Sequence, residues 1–269
     1  MPNGMPMTKT ELSLTIPEGK KAYFTSDWHL GYPDRQRSFR REKIILSWLD
    51  RIEKDAEALF LVGDIFDFWF DYKHAVPRNP VRILGKLAAM ADKGTGIYYF
   101  FGNHDMWFRD YFEKEIGMKL IPGVAVVQLN GTKIFVAHGD GLGPGDVRYK
   151  LLKKIFRNPL AKMAYRWLHP DLGIPLASFF SRLSRNHTPE HVSDFLGEDK
   201  EHLIIYSKEV LNHSHFDYFI FGHRHHAVVH PLSAQSTYIN LGDWIRLFTY
   251  AVYDSSGIRL EKFASVTNE

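Results

Sequence analysis

Five short clusters of acids, amides and imidazoles punctuate this chain, each directly after an apolar run: Asp27-Trp28-His29, Gly63-Asp64, Gly102-Asn103-His104-Asp105, His138-Gly139-Asp140 and Gly222-His223-Arg224-His225. Short apolar runs bounded by glycine and polar residues read as buried strands. On that basis Lys21 to Ser26, Ala58 to Val62, Gly96 to Phe101 and Lys133 to Ala137 are strands, each ending in a cluster. Between the first two, Ser38 to Asp55 carries Ile44, Ile45, Trp48, Leu49 and Ile52 at helical spacing. A second helix, about Pro80 to Lys93, opens with proline at a first-turn position. Strand, polar cluster, helix, strand is the rhythm of an α/β fold, in which strand carboxyl ends meet along one edge and build the site. The first four clusters are therefore expected to converge.

The rhythm breaks from about Asp140 to Phe216, where helical stretches and scattered prolines hold no convincing strand, and this region reads as a helical insertion at about 141–216 of a single domain spanning 1–269. Strand patterns return at Asp217 to Phe221, Ala227 to His230, Thr237 to Asn240 and Leu247 to Tyr253. Being short and closely spaced, they are expected to form a second, largely antiparallel sheet.

The chain has no cysteine, which excludes disulfides, a thiol nucleophile and cysteine-ligated zinc, so its 14 histidines and its acids are what remains for metal chemistry. A net charge of +3 is too small to argue nucleic-acid binding by itself. The first twenty residues lack the apolar stretch of a signal peptide, and no run of about 20 apolar residues occurs, so the chain is expected to stay in the cytoplasm without spanning a membrane.

Asp27, His29, Asp64, Asn103, His104, Asp105, His138, His223 and His225 are all possible metal ligands. Hydrolysis of a phosphate ester calls for cations that polarise the phosphoryl oxygens and activate water, and two divalent ions about 3.5 to 4 Å apart supply both. Two cations that close repel, so a bridging carboxylate is needed, and Asp64 at a buried strand end is the natural one. Mixed imidazole, carboxylate and amide ligands suit Mn²⁺, Fe²⁺ or Zn²⁺ better than Mg²⁺ or Ca²⁺. Residues two apart on extended backbone point the same way, so both members of Asp27-x-His29 and of His223-x-His225 can reach the ions. Asp67, three residues past Asp64, either lies near the site or caps the following turn.

In this order, DWH, GDIFD, GNHD, HGD and GHRH resemble the five signatures of the calcineurin-like metallophosphoesterases, over about Lys21 to Asp243. The resemblance implies a two-sheet β-sandwich flanked by helices, an α/β fold. It implies a first metal held by Asp27, His29, Asp64 and His225 and a second by Asp64, Asn103, His138 and His223, with Mn²⁺ the expected ion. It also gives His104 a general-acid or phosphate-binding role, with Asp105 orienting its imidazole. Within the family the chain is most similar to the UDP-2,3-diacylglucosamine pyrophosphohydrolases of lipid A synthesis, through its size, the insertion after HGD, the run Gly139, Asp140, Asp146, Tyr149, and Leu241-Gly242-Asp243-Trp244. That likeness implies cleavage of a UDP-linked lipid at the α-phosphorus to UMP and 2,3-diacylglucosamine 1-phosphate, with Asp146, Tyr149 and Arg157 as substrate-binding candidates. One departure stands out: that branch typically carries arginine where this chain has His104, whereas general phosphoesterases have histidine. An imidazole acid suits an alkoxide leaving group, while a departing phosphate, with a second pKa of about 6, needs no proton.

From Arg148 to Arg185 nine basic residues face Asp171 as the one acid, interleaved with large apolar groups such as Leu160, Met163, Trp167 and Leu172. Basic and amphipathic together indicate a lid that holds acyl chains and docks peripherally on the inner leaflet. The alternatives are a solvated helical face packed on the main domain, a soluble phosphodiesterase or nuclease that uses this charge to hold a polyanion and, more distantly, a non-catalytic scaffold. No obligate nucleic acid and no protein partner is expected.

Overall fold

The computed structural model describes residues 9–143, 158–177, 195 and 197–264. In chain order its elements are β1 (Lys9–Leu14), β2 (Lys21–Thr25), α1 (Arg35–Ile52), β3 (Ala56–Val62), α2 (Val81–Asp92), β4 (Gly96–Phe100), a π-helical turn (Phe112–Ile116), β5 (Lys119–Ile121), β6 (Val124–Leu129) and β7 (Thr132–Ala137). After these come α3 (Pro159–Arg166), α4 (His202–Leu211), β8 (Tyr218–Phe221), β9 (Ala227–Ser233), β10 (Ser236–Leu241), β11 (Thr249–Asp254) and β12 (Gly257–Lys262). A further helical segment covers 170–177.

The strands build two six-stranded sheets, ordered β12-β11-β2-β3-β4-β5 and β1-β6-β7-β8-β10-β9. Their facing surfaces enclose one core, with Phe24, Phe60, Val62 and Phe100 from the first sheet against Val127, Ile134, Ile220 and Ile239 from the second. Side chains alternate across a strand, so Tyr23, Leu59, Leu61 and Tyr99 point to the other face of the first sheet. There they meet Ile45, Trp48 and Leu49 of α1 and Ile83 and Leu87 of α2. On the outer face of the second sheet, Leu203, Ile204 and Val210 of α4 cover Phe135, Phe219 and Phe221. The result is four layers, helix, sheet, sheet, helix, and each large side chain so buried contributes about 1.5–3 kcal/mol.

Helix α1 starts earlier than the apolar spacing suggests because the Asp34 carboxylate caps it, accepting from Arg37 N at 2.9 Å. Pro80 sits at the N-cap of α2 rather than inside its first turn. The expected separate antiparallel sheet of late strands is corrected: β8 pairs parallel with both β7 and β10, while β11 crosses to the first sheet beside β2. β7 belongs to the second sheet, so the strand-end clusters come from two sheets and meet between them, not along one sheet edge. Helix α4 lies within the stretch read as an insertion, yet it is the outer layer of the second sheet.

Candidate metal centre

Each cluster follows the last residue of its strand, where the backbone turns sharply. Asp27, His29, Asp64, His223 and His225 all adopt left-handed backbone, with φ of 55°, 45°, 54°, 67° and 49°. That region is costly for non-glycine residues and persists where surrounding structure enforces it. Glycines supply the close approach: a Cβ on Gly102 would strike Asp64 Oδ1 and the Asp64 amide, and one on Gly222 would press on Asp27 Oδ2.

The seven ligands implied by the resemblance come together. Ligand atoms of Asp27, His29 and His225 lie within 4.8 Å of one another, as do those of Asp64, His138 and His223, and those of His29, Asp64 and His104. Asp64 therefore stands between the two groups, with Oδ2 at 3.8 Å from His29 Nε2 and 3.4 Å from His138 Nε2. Asn103 joins the second group, its Oδ1 lying 3.1 Å from His138 Nε2.

The rings are aimed by outer partners. His138 Nδ1 donates to the Val62 carbonyl at 2.9 Å, which leaves Nε2 facing Asp64 and Asn103. His225 Nδ1 lies 3.3 Å from Asp243 Oδ2, and Asp243 Oδ1 accepts from the amides of Ile245, Arg246 and Leu247. Asp27 Oδ2 accepts from His223 N at 2.9 Å, and Asp64 Oδ1 accepts from His104 N at 2.9 Å. In each carboxylate one oxygen thus braces the loop that carries the next candidate ligand.

The remaining groups fit cations. Asp27 Oδ1 is buried with no hydrogen-bond partner among the described residues, 3.3 Å from His225 Nε2 and 3.5 Å from His29 Nε2. The His29 and His225 rings stack with Nε2 atoms 3.1 Å apart, both aimed at the same space beside that oxygen. Burial lowers the pKa of His223 to about 3, leaving a neutral ring ready to ligate. Burial would lower His138 too, but the adjacent Asp64 carboxylate outweighs it and holds the pKa up at about 10. Burial would raise Asp64, yet His138, His104 and His29 keep it well below the usual carboxylate range. Protons thus balance charge that divalent ions would balance.

His104 is half-buried at the rim, and its Nδ1 donates to the Asp67 carbonyl at 3.0 Å. Asp105 does not orient that imidazole, contrary to expectation. Its carboxylate accepts from the amides of Asp64, Ile65, Phe66 and Gly102 and from the Tyr99 hydroxyl, pinning the turn after β3 to the turn after β4. Burial and the Asp64 charge raise its pKa to about 7 against those donors. Asp67, left between two readings, lines the site: its Oδ1 is 3.9 Å from His29 Nδ1. Asp243 had no assigned role, although it follows directly on a strand and a glycine, as Asp64 does. Asp146, Tyr149 and Arg157 lie outside the described residues, as do most of the basic residues of the insertion.

The family model described as calcineurin-like phosphoesterase matches residues 20–227. A protein of Porphyromonas gingivalis (strain ATCC BAA-308 / W83) named UDP-2,3-diacylglucosamine hydrolase is 38% identical over 253 residues, covering 90% of this chain and 97% of its own. One of the same name from Pseudomonas aeruginosa (strain UCBPP-PA14) is 33% identical over 247 residues, covering 89% and 98%. Among solved structures, a phosphoesterase from E. coli matches 87% of this chain and 88% of its own, with 15% identity and a TM-score of 0.42.

Proposed function

The chain belongs to the calcineurin-like phosphoesterase family, and we propose that it cleaves UDP-2,3-diacylglucosamine at the α-phosphorus, giving UMP and 2,3-diacylglucosamine 1-phosphate for lipid A biosynthesis. The observation that carries the phosphoester chemistry is the buried Asp64 carboxylate standing between two groups of metal-type ligands. The substrate rests on relatives of that name aligned over about nine-tenths of this chain.

Two divalent cations, Mn²⁺ first and Fe²⁺ or Zn²⁺ otherwise, would be held by Asp27, His29, Asp64 and His225 and by Asp64, Asn103, His138 and His223, where they supply phosphoryl polarisation and activated water. The chain's own groups do the rest. Left-handed turns and braced carboxylates fix the ligands before substrate arrives, so little reorganisation is left for the reaction. His104, its Nδ1 proton committed to the Asp67 carbonyl, holds its ring at the rim as a donor to a phosphoryl oxygen. A leaving phosphate, with a second pKa of about 6, needs such a donor more than it needs a proton. The imidazole would also serve an alkoxide leaving group, which keeps a phosphodiesterase of other substrate as the second reading.

The described part of the insertion supports a lipid role. Leu160, Met163, Trp167 and Leu172 are exposed, Trp167 by 87%, beside the cations Lys162 and Arg166. We assign to this face the acyl chains and peripheral contact with the inner leaflet. Among the described residues, no helix is long and apolar enough to cross a membrane.

The test is an Mn²⁺-loaded assay of UDP-2,3-diacylglucosamine, UDP-N-acetylglucosamine and bis(p-nitrophenyl) phosphate, with products identified by mass. UMP and a lipid phosphate formed only from the acylated substrate are expected. Hydrolysis of the aryl diester alone would reject the lipid substrate while keeping the metallophosphoesterase.

A further inference from the structure

Next to the metal centre lies a cavity of about 880 Å³ between the start of α1 and the loop leading into α2. Leu30, Gly31 and Asp67 belong to its wall. The first two follow the candidate ligand His29 in the chain, and Asp67 contacts both His29 and His104. The cavity and the ligand cluster therefore share Asp67 as a common wall, and a substrate with phosphorus at the cluster has the cavity beside it.

Its wall is mixed, with Phe39, Phe66, Phe68, Trp69 and Val81 beside the polar groups. The polar groups are Arg35, Gln36, Arg78, Asn79 and Arg82. Arg82 is held in place, its guanidinium 4.8 Å above the Phe39 ring and its charge facing the buried Glu42 carboxylate. Arg35 and Arg78 are exposed and have no carboxylate within ion-pair distance among the described residues. Two uncommitted guanidiniums beside a half-buried aromatic ring make a surface for a flat, acceptor-rich group, because guanidinium planes stack on bases and their forked N–H donors match paired oxygens. A pocket of this volume suits a nucleotide. Three guanidiniums are poor partners for acyl chains, and although the exposed Val81 lines the cavity, most of the exposed large apolar side chains among the described residues lie on the insertion.

We propose that this cavity is the nucleoside subsite: the uridine half of the substrate lies between Arg35 and Arg78, with the diphosphate at the ligand cluster and the acylated sugar toward the insertion. Ile174 of the insertion reaches the cavity rim, as expected if both halves belong to one molecule. The assignment rests on the UDP-linked reading above, but its first comparison, UMP against ribose 5-phosphate, does not need the lipid.

UMP and ribose 5-phosphate, which lacks the base, are titrated calorimetrically into Mn²⁺-loaded wild type and into the Arg35→Ala/Arg78→Ala double variant. Wild type is expected to bind UMP at least tenfold more tightly than ribose 5-phosphate, and the double variant to narrow that gap below threefold. Both arginines are exposed, and a thermal melt verifies that the variant is folded. A wild type without preference for UMP, or a gap that survives in the double variant, would overturn the subsite. So would a variant that keeps UMP but loses 2,3-diacylglucosamine 1-phosphate, since the cavity would then hold the lipid-phosphate half. Wild type that prefers UMP but fails to hydrolyse the UDP-lipid would instead reject the lipid substrate and leave the subsite standing.

Discussion

Single atoms decide whether the ligand cluster exists, and Gly102 shows how narrow the tolerance is. Its Cα faces the Asp64 carboxylate with no room for a methyl group. Gly102→Ala is expected to displace Asp64 and to lower hydrolysis of an aryl phosphodiester at least a hundredfold, with metal content by mass spectrometry falling in parallel. Protons compete for the same places. His138, held at about 10 by Asp64, keeps its proton in the metal-free protein across the neutral range. Its folded pKa lies above the ordinary value of about 6.5. Its contribution to metal-free stability is therefore complete below about pH 6.5 and lost as pH rises through about 10. Cation binding must expel that proton, so Mn²⁺ affinity should rise from pH 6 to pH 9 while metal-free stability falls, as titration calorimetry and urea melts would measure. The ligands themselves were legible because acids and imidazoles two apart after apolar runs leave few other readings. Asp105 and Asp243 were not: a carboxylate's partners are set by which turns the fold brings beside it. Asp105 took backbone amides forty residues away in the chain, and Asp243 took an imidazole across two strands.

Elements transmit order to those atoms through the buried pair Arg224 and Glu201. Arg224 lies between His223 and His225, and its Nε and one terminal nitrogen each donate to a Glu201 oxygen at 3.1 Å, at the N-cap of α4. Removing one member of a buried pair commonly costs about 3–5 kcal/mol, because it strands the other charge. Arg224→Ala should lower stability by about that amount in urea denaturation and weaken Mn²⁺ binding, and Arg224→Lys should recover part of both. At this scale the strands and helices of the first sheet's centre were readable from clean periodicity. β1, β5, β6 and β12 were not: KTELSL and GIRLEK lie at sheet edges, where one covered face leaves only a few buried residues to mark a strand. The reading failed likewise on sheet membership, because short consecutive strands suggest neighbours in chain order, yet β10 inserts parallel beside β8 and pushes its antiparallel partner β9 to the sheet edge.

Across the whole molecule the candidate ligands are contributed by both sheets: Asp27, His29, Asp64 and Asn103 follow strands of one, and His138, His223 and His225 follow strands of the other. Bound cations would clamp the sandwich shut, so chelation is expected to lower the midpoint of global unfolding, with circular dichroism and tryptophan fluorescence shifting together. Trp28, Trp48, Trp69 and Trp244 are all fully buried and would report that single transition. The hydrogen bond from His223 N to Asp27 Oδ2 joins residues 196 positions apart. Closing so long a loop has to precede any reward from the contacts it makes, which places this junction late on the folding route. During synthesis the amino-terminal half of the cluster is complete long before its counterpart leaves the ribosome. A chain truncated before residue 222 would carry Asp27, His29, Asp64, Asn103 and His138 but neither imidazole of the last cluster, so each of the two groups would lack one member.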